Sequence, residues 1–378
     1  MKVGIITYHN TANYGAALQA YATQIALSEI GIRSEIIDYT NEIRKTEYAP
    51  WRKVFAQFKK KKIVATIITF AAIPMIVRRN RNFKHFYKEN LITSHQKYRK
   101  KEEIKNAPPS YDLYIAGSDQ IWNWDGNGND DNYFLDFVKD KSNTMSYASS
   151  FGMSNIPEDL IDKYIILIKS IRYISVREQM GANLVKQLIG KNVETVLDPV
   201  FLPSKEIWEN LIRKESLNKK KYMLIYTNNH RYMEKFESAA TFSNSYKKKI
   251  IMGTDFSIKQ ILNSNIKIKS SEGPIKFLRY FKNSDFIITS SFHGTAFAII
   301  MEKPFIVFLS DHDGRNSRIT SLLNSIGLSE RIFDPDTIND VILKKIDYNE
   351  VNTKLHTLRT HSLRFIKDII INLQREEK

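Results

Sequence analysis

The segment from Asp285 to Leu309 holds the residues best placed for chemistry. An apolar run, Phe286 to Ile288, is expected to form a buried strand. Ser290 and Ser291 follow where a helix N-cap belongs, and a second β-rich run, Phe305 to Leu309, comes after the helix. This strand–helix–strand crossover delivers His293 to the first turn of a helix, at the carboxyl end of a strand. Backbone N–H groups converge at such a point, here around Ser290, Ser291 and Gly294, and the helix dipole favours an anion. A histidine can carry a proton at neutral pH, so His293 beside an anion pocket is a candidate general acid or base. The competing reading is a histidine that only caps or packs the helix start.

The same architecture recurs along the chain, each time with polar groups where a strand ends. Val3 to Thr7 runs into Tyr8-His-Asn-Thr-Ala-Asn-Tyr-Gly-Ala16, followed by an amphipathic helix from about Ala17 to Ile30. Leu113 to Ala116 meets Gly117-Ser118-Asp119-Gln-Ile-Trp122, and Tyr173 to Val176 ends at Arg177-Glu178. Val196-Leu197 meets Asp198-Pro199, and Phe305 to Leu309 is followed by Asp311, Asp313, Arg315 and Arg318. Open α/β sheets bind ligands beyond the carboxyl ends of their strands, so this repetition points to a shared site.

Length and composition suit an α/β enzyme of two domains. At 378 residues the chain exceeds one ordinary core, and 42% hydrophobic with 26% charged residues is the balance of a globular protein. Zero cysteines exclude disulfides, thiolate metal sites and cysteine nucleophiles together, and no metal centre is expected. The N-terminus enters a strand directly, so a cytoplasmic protein without a signal peptide is expected.

A net charge of +16 concentrates between Arg44 and Lys105. Lys59–Lys62 and Arg78-Arg-Asn-Arg81 flank Ile63–Val77, an uncharged stretch that includes Pro74 and is too short to span a bilayer. Two readings stand side by side. The segment either lies on an anionic membrane surface or packs on its domain as a helical hairpin with solvated lysines. Nucleic acid ranks last as a partner, because no helix-turn-helix, zinc-finger or RNA-recognition signature accompanies the charge. The expected organisation is an N-terminal Rossmann-like domain over 1–203, with 41–106 as a basic and apolar helical insertion. A C-terminal Rossmann-like domain over 204–348 and a C-terminal helix over 349–378 complete it.

Six motifs, in order, carry a family resemblance. They are Asn13-Tyr-Gly-Ala-Ala-Leu-Gln19, Gly117-Ser-Asp-Gln-Ile-Trp-Asn123, Ser146-Tyr-Ala-Ser-Ser-Phe-Gly152, Ser175-Val-Arg-Glu178, Leu197-Asp-Pro199 and Ser290-Ser-Phe-His-Gly-Thr295. Together they resemble the polysaccharide pyruvyl transferase family, from the first residues to about Arg331. The resemblance implies an α/β fold of two Rossmann-like domains in a glycosyltransferase-B-like arrangement, with the active site between them. It implies phosphoenolpyruvate as co-substrate, no further cofactor, and a ketal joining pyruvate to two hydroxyls of a sugar, in the manner of capsule and exopolysaccharide precursors. The acceptor is a sugar, free or carried on a lipid-linked oligosaccharide, which would bring the enzyme to the inner face of the cytoplasmic membrane. His293 takes the place of the family's proposed proton donor, and Arg177 that of its donor-binding arginine. Many members carry Arg where this chain has Ser291, so Arg315 or Arg318 is expected to replace that cation.

Phosphoenolpyruvate brings a carboxylate and a phosphate, and the planar fork of Arg suits both. Ketal formation protonates the methylene carbon and leaves positive character at the central carbon for a hydroxyl to attack. Asp119 is expected to accept the hydroxyl proton or to cap its own turn. Arg177 holds the donor or pairs with Glu178 or Asp198. Asn13, Tyr14 and Gly15 either shape the first strand–helix loop, with Gly15 permitting its turn, or contact a substrate as acceptor-binding residues. Two other functions remain: a nucleotide-sugar glycosyltransferase, for which Glu302 is the carboxylate nearest the required place, and a non-catalytic surface-binding protein using the basic insertion.

Overall fold

The computed structural model describes residues 1–41, 43, 70, 72–213, 221–227, 229–240, 246, 248–253, 258–310 and 313–376. The chain forms two compact units. The first comprises 1–203, 313–318 and 356–378, and the second 204–312 and 319–355.

The first unit is built on seven parallel strands: β1 (Lys2–Ile6), β2 (Arg33–Tyr39), β3 (Thr93–Tyr98), β4 (Leu113–Ala116), β5 (Thr144–Ser149), β6 (Tyr173–Val176) and β7 (Glu194–Thr195). Their order is β3-β2-β1-β4-β5-β6-β7, so the winding reverses between β1 and β4. β4 and β5 are buried at every position, as parallel strands covered on both faces must be. Helix α1 (Tyr14–Glu29) returns the chain from β1 to β2, and Asn13 caps it by accepting from the Ala16 N–H at 3.2 Å. Helix α2 (Ile73–Asn90) buries Phe83, Phe86 and Tyr87, and Phe83 meets Tyr14 with ring centroids 5.1 Å apart. Below the β4 loop, Trp122 is fully buried and stacks on Phe134 at 5.3 Å.

The second unit has five parallel strands: β8 (Met223–Tyr226), β9 (Lys249–Ile251), β10 (Ile266–Ile268), β11 (Phe286–Thr289) and β12 (Phe305–Val307). The order β10-β9-β8-β11-β12 repeats the same winding, with its reversal between β8 and β11. Helix α3 (Pro274–Asn283) leads into β11, and α4 (Phe292–Ile300) joins β11 to β12. In α4 every residue from Phe292 to Ile299 is buried, which explains why its sequence is apolar on all sides. Beyond β12 the chain includes helices α5 (Asp313–Ile326) and α6 (Tyr348–Glu376). Residues 313–318 of α5 and 356–376 of α6 belong to the first unit.

The stretch 41–106, expected to be a helical insertion, instead supplies part of the sheet. β3 pairs with β2 as its edge strand, and α2 is the helix that precedes it. The reason is strand chemistry that the charge run hides: Thr93–Tyr98 buries only Ser94 and Tyr98, a pattern that suits an edge. Lys59–Lys62 and most of Ile63–Val77 lie outside the described residues.

Candidate active site

In the first unit, the carboxyl ends of β4, β5, β6 and β7 converge on one buried network. Ser118 Oγ donates to Asp198 Oδ2 at 2.9 Å, and Arg177 Nη1 donates to the same oxygen at 2.6 Å. Asp198 Oδ1 accepts from the Val200 N–H at 3.1 Å. Glu178 lies beside Arg177, Oε2 to Nε 3.7 Å, and accepts from Ser150 Oγ at 2.8 Å. Four of the sequence motifs are therefore one another's partners. The side chains of Arg177, Glu178 and Asp198 are at most 2% exposed.

Electrostatics in this network are dominated by burial. Burial works against the Arg177 charge, yet Asp198, Glu178 and Asp119 outweigh it and hold the guanidinium above its ordinary value. Burial pushes the Glu178 carboxyl up, against the opposing pull of Arg177 and Arg318. Arg318, from the first turns of α5, is brought down to about 10 by burial and then by repulsion from Arg177. Arg315, three residues earlier, is exposed and adds to that repulsion. Gly314 seats the start of α5: a Cβ there would lie 2.4 Å from Met153 Cα, so only glycine permits this approach.

Asp119 follows β4 in a left-handed conformation, φ 76°, which an Asp tolerates better than most residues. Its Oδ1 accepts from the Gln120 N–H at 2.8 Å, the capping role that the sequence offered as one alternative. The loop from β1 is tied to it across the switch point: Thr7 Oγ1 donates to the Ser118 carbonyl, and the Tyr8 hydroxyl to the Gln120 carbonyl, both at 2.9 Å. Gln19, the last residue of the first motif, is fully buried and donates to Thr7 Oγ1 at 2.9 Å. Asn13 is the α1 cap, and Tyr14 packs under the Arg79 guanidinium at 4.5 Å. Gly15 lies inside the first turn of α1 and not in the loop, because the Asn13 cap starts the helix at Tyr14, three residues before the expected Ala17.

The sequence did not single out His9. It is buried, with Nε2 3.3 Å from Asp38 Oδ1 and Nδ1 3.2 Å from the Thr7 carbonyl. Arg99 holds the same Asp38 with two nitrogens, at 2.9 and 3.0 Å. Burial opposes the Asp38 charge, but hydrogen bonds from His9 and Arg99 keep the carboxyl well below the usual range. Both ring nitrogens of His9 face acceptors, which makes it a structural histidine. The signal available in the sequence was Asp38 directly after the apolar pair Ile36-Ile37, at the end of a strand.

In the second unit, His293 is the second residue of α4 and is buried, in edge contact with Phe292. Ser291 is the N-cap, accepting from the Gly294 N–H at 3.3 Å. The turn is fixed from below: Thr289 Oγ1 accepts from the Ser291 N–H at 3.1 Å and donates to the Tyr226 carbonyl of β8 at 2.8 Å. A Cβ on Gly294 would sit 2.1 Å from Thr289 Oγ1, so the helix start closes on the strand only with glycine there. Ser290 is the connecting residue between β11 and this cap. Glu302 pairs with Lys205 at 2.6 Å and accepts from Asn352 at 3.1 Å, which engages it away from any ribose role.

These motifs coincide with a known family. A family model for polysaccharide pyruvyl transferase matches residues 13–312. The chain belongs to the polysaccharide pyruvyl transferase family. It is therefore a transferase, of a family that acts in polysaccharide pyruvylation. No curated protein sequence matches it significantly. Among solved structures it is similar to a UDP-N-acetylglucosamine 2-epimerase at TM-score 0.56 and 10% identity, covering 100% of this chain and 97% of the other. The Neisseria meningitidis UDP-GlcNAc 2-epimerase bound to UDP-GlcNAc gives TM-score 0.53 and 11% identity, covering 98% and 100%. The Methanocaldococcus jannaschii enzyme in complex with UDP-GlcNAc and UDP gives TM-score 0.52 and 14% identity, covering 95% and 99%. At these identities the likeness is one of fold, and the fold is GT-B-like. Within the described residues no group of His, Asp and Glu is arranged to hold a metal ion.

Proposed function

We propose that the chain transfers pyruvate from phosphoenolpyruvate to a sugar of a polysaccharide precursor, forming a ketal. The observation that carries this reading is the buried Ser118–Asp198–Arg177–Glu178–Ser150 network with Arg318 beside it, in a chain of this family. Arg318 is crowded by like charge, and an arriving phosphate or carboxylate would relieve that repulsion. Arg177, whose Nη1 donates to Asp198, holds the donor together with Arg318 and the exposed Arg315, which supply charge. The N–H groups of Ser290, Ser291 and Gly294 already donate to the Tyr226 carbonyl, Thr289 Oγ1 and Ser291 Oγ, so the start of α4 acts through its helix dipole.

The proton balance assigns the other roles. The methylene carbon takes a proton from His293 and becomes a methyl group. The first sugar hydroxyl then bonds to the central carbon, the bond to the phosphate oxygen breaks, and the second hydroxyl takes its place. Two hydroxyl protons are released; one restores His293, and Asp119 passes the other to the departing phosphate. The expected contribution of a well-placed acid is about 10²–10⁴ in rate. The test is an incubation of the purified protein with phosphoenolpyruvate and a panel of free and lipid-linked sugars. Phosphate release matched by gain of a pyruvate ketal on one acceptor supports the reading. Binding of nucleotide sugars without consumption of phosphoenolpyruvate overturns it.

We also propose that the enzyme docks reversibly on an anionic membrane surface. Among the described residues no helix is long and apolar enough to cross a membrane. In support, α2 exposes Val77, Arg78, Arg81, Lys84 and Lys88 along one stripe. Flotation with anionic vesicles should fall by about 1 kcal/mol per neutralised charge and weaken with salt. Equal binding to neutral vesicles would sink the docking.

A further inference from the structure

The C-terminal helix reaches the arginine network through a single residue, Leu197. Leu197, the residue before Asp198, has its N–H bonded to Ser362 Oγ of α6 at 2.9 Å. Its carbonyl accepts from the Tyr147 hydroxyl of β5 at 3.0 Å. Ser362 is fully buried, and its own hydroxyl donates to the Leu358 carbonyl one turn back at 2.8 Å, which leaves the oxygen oriented to accept from Leu197. The helix is seated around this point by buried Ile366, Ile369, Ile370 and Leu373 and by a two-pronged Arg172–Glu376 pair at 2.6 and 2.8 Å. β7 itself is only two residues long, so its ladder ends short of Leu197. The strand extension that carries Asp198 is thus held from both sides by side chains.

We infer that Ser362 is a positioning residue for the Arg177–Asp198 pair, and that α6 is an integral part of the first unit's anion-binding machinery. Helix and network are joined by this one hydroxyl: without it the buried Leu197 N–H loses its acceptor, and Asp198 is free to shift away from Arg177 and Ser118. The function of the pair in donor binding rests on the reading above; the positioning itself does not.

The experiment uses full-length protein with isotope-labelled arginine, the Arg177 guanidinium resonance being identified by its loss in Arg177→Lys. In Ser362→Ala, exchange of the Arg177 guanidinium protons with solvent should accelerate about tenfold, and Ser362→Thr, which keeps the hydroxyl, should restore slow exchange. A lower melting temperature with unchanged Arg177 exchange would show that Ser362 serves stability alone and would overturn the inference. If Ser362→Ala does not fold, Tyr147→Phe releases the carbonyl of the same residue and is read the same way. In the activity arm, Ser362→Ala should raise KM for phosphoenolpyruvate while kcat stays within twofold. Should the wild-type protein not consume phosphoenolpyruvate, the donor reading fails, and the exchange result still decides the positioning.

Discussion

β4 in the first unit and β11 in the second occupy the same place in their sheets: each is the first strand beyond the reversal of strand order. Their ends are finished in opposite ways. After β4 the chain turns through Asp119 at positive φ into a network of carboxylates and arginines. After β11 it passes straight into a capped, enclosed helix whose only ionisable residue up to Ile300 is His293. A charged cluster in low dielectric must be partnered group by group. His293 instead stands in an enclosed helix start, with no carboxylate or arginine in its own helix. One fold thereby provides two kinds of site, and the difference lies in how the chain leaves the strand.

The largest effect is expected where the charged site is broken. Asp198→Ala removes the carboxylate that Arg177 donates to, leaving Glu178 and Asp119 nearby, and should cost about 3–5 kcal/mol of stability, measured by urea unfolding. A loss under about 1 kcal/mol would mean that the network is not electrostatically tight, which would remove the contrast. Next comes the second site. His293→Gln should lower turnover by about two orders of magnitude while leaving phosphoenolpyruvate affinity within several-fold. Unchanged turnover would reduce His293 to a packing residue.

Asp38 sharpens the comparison by pH. Its folded pKa is depressed, so the stability it adds is present above the unfolded carboxylate value of about 4 and is lost as pH falls below that toward the folded pKa. Asp38→Asn should lower stability by about 1–3 kcal/mol at pH 7 and flatten the decline between about pH 4 and 2. Parallel acid limbs for wild type and variant would refute it. The smallest effects belong to the caps. Asn13→Ala and Ser291→Ala should each cost about 1 kcal/mol. Only Ser291→Ala should also reduce turnover, since it alone borders His293; an activity loss in both would blur the two sites.

Much of the scaffold was readable from pattern. Short β-rich runs bounded by polar turns located the strands at 113–116, 173–176 and 286–289, because strands covered on both faces must be apolar throughout. β3 was missed because an edge strand carries little burial, and its Thr-Ser-His-Gln-Lys-Tyr sequence disappears within a basic run. The strand ends were found, but their division of labour was not. Arg177 was read as a donor ligand or an ion-pair partner; the network places it against Asp198, with its exposed neighbour Arg315 outside.

What the sequence determined by itself was therefore local: which segments are strands, where Ser290 and Ser291 cap a helix, and that polar residues gather at strand ends. These features arise from periodicity and from backbone N–H groups that need an acceptor nearby in the chain. Which of those polar residues meet was decided only by the tertiary structure. The partners of Asp198 come from 21 and 80 residues away, and Leu197 is held from 165 residues away by Ser362. A hydroxyl or carboxylate carries no sign in the sequence of the partner that burial will require of it, and only the packing of strands and the C-terminal helix supplies that partner.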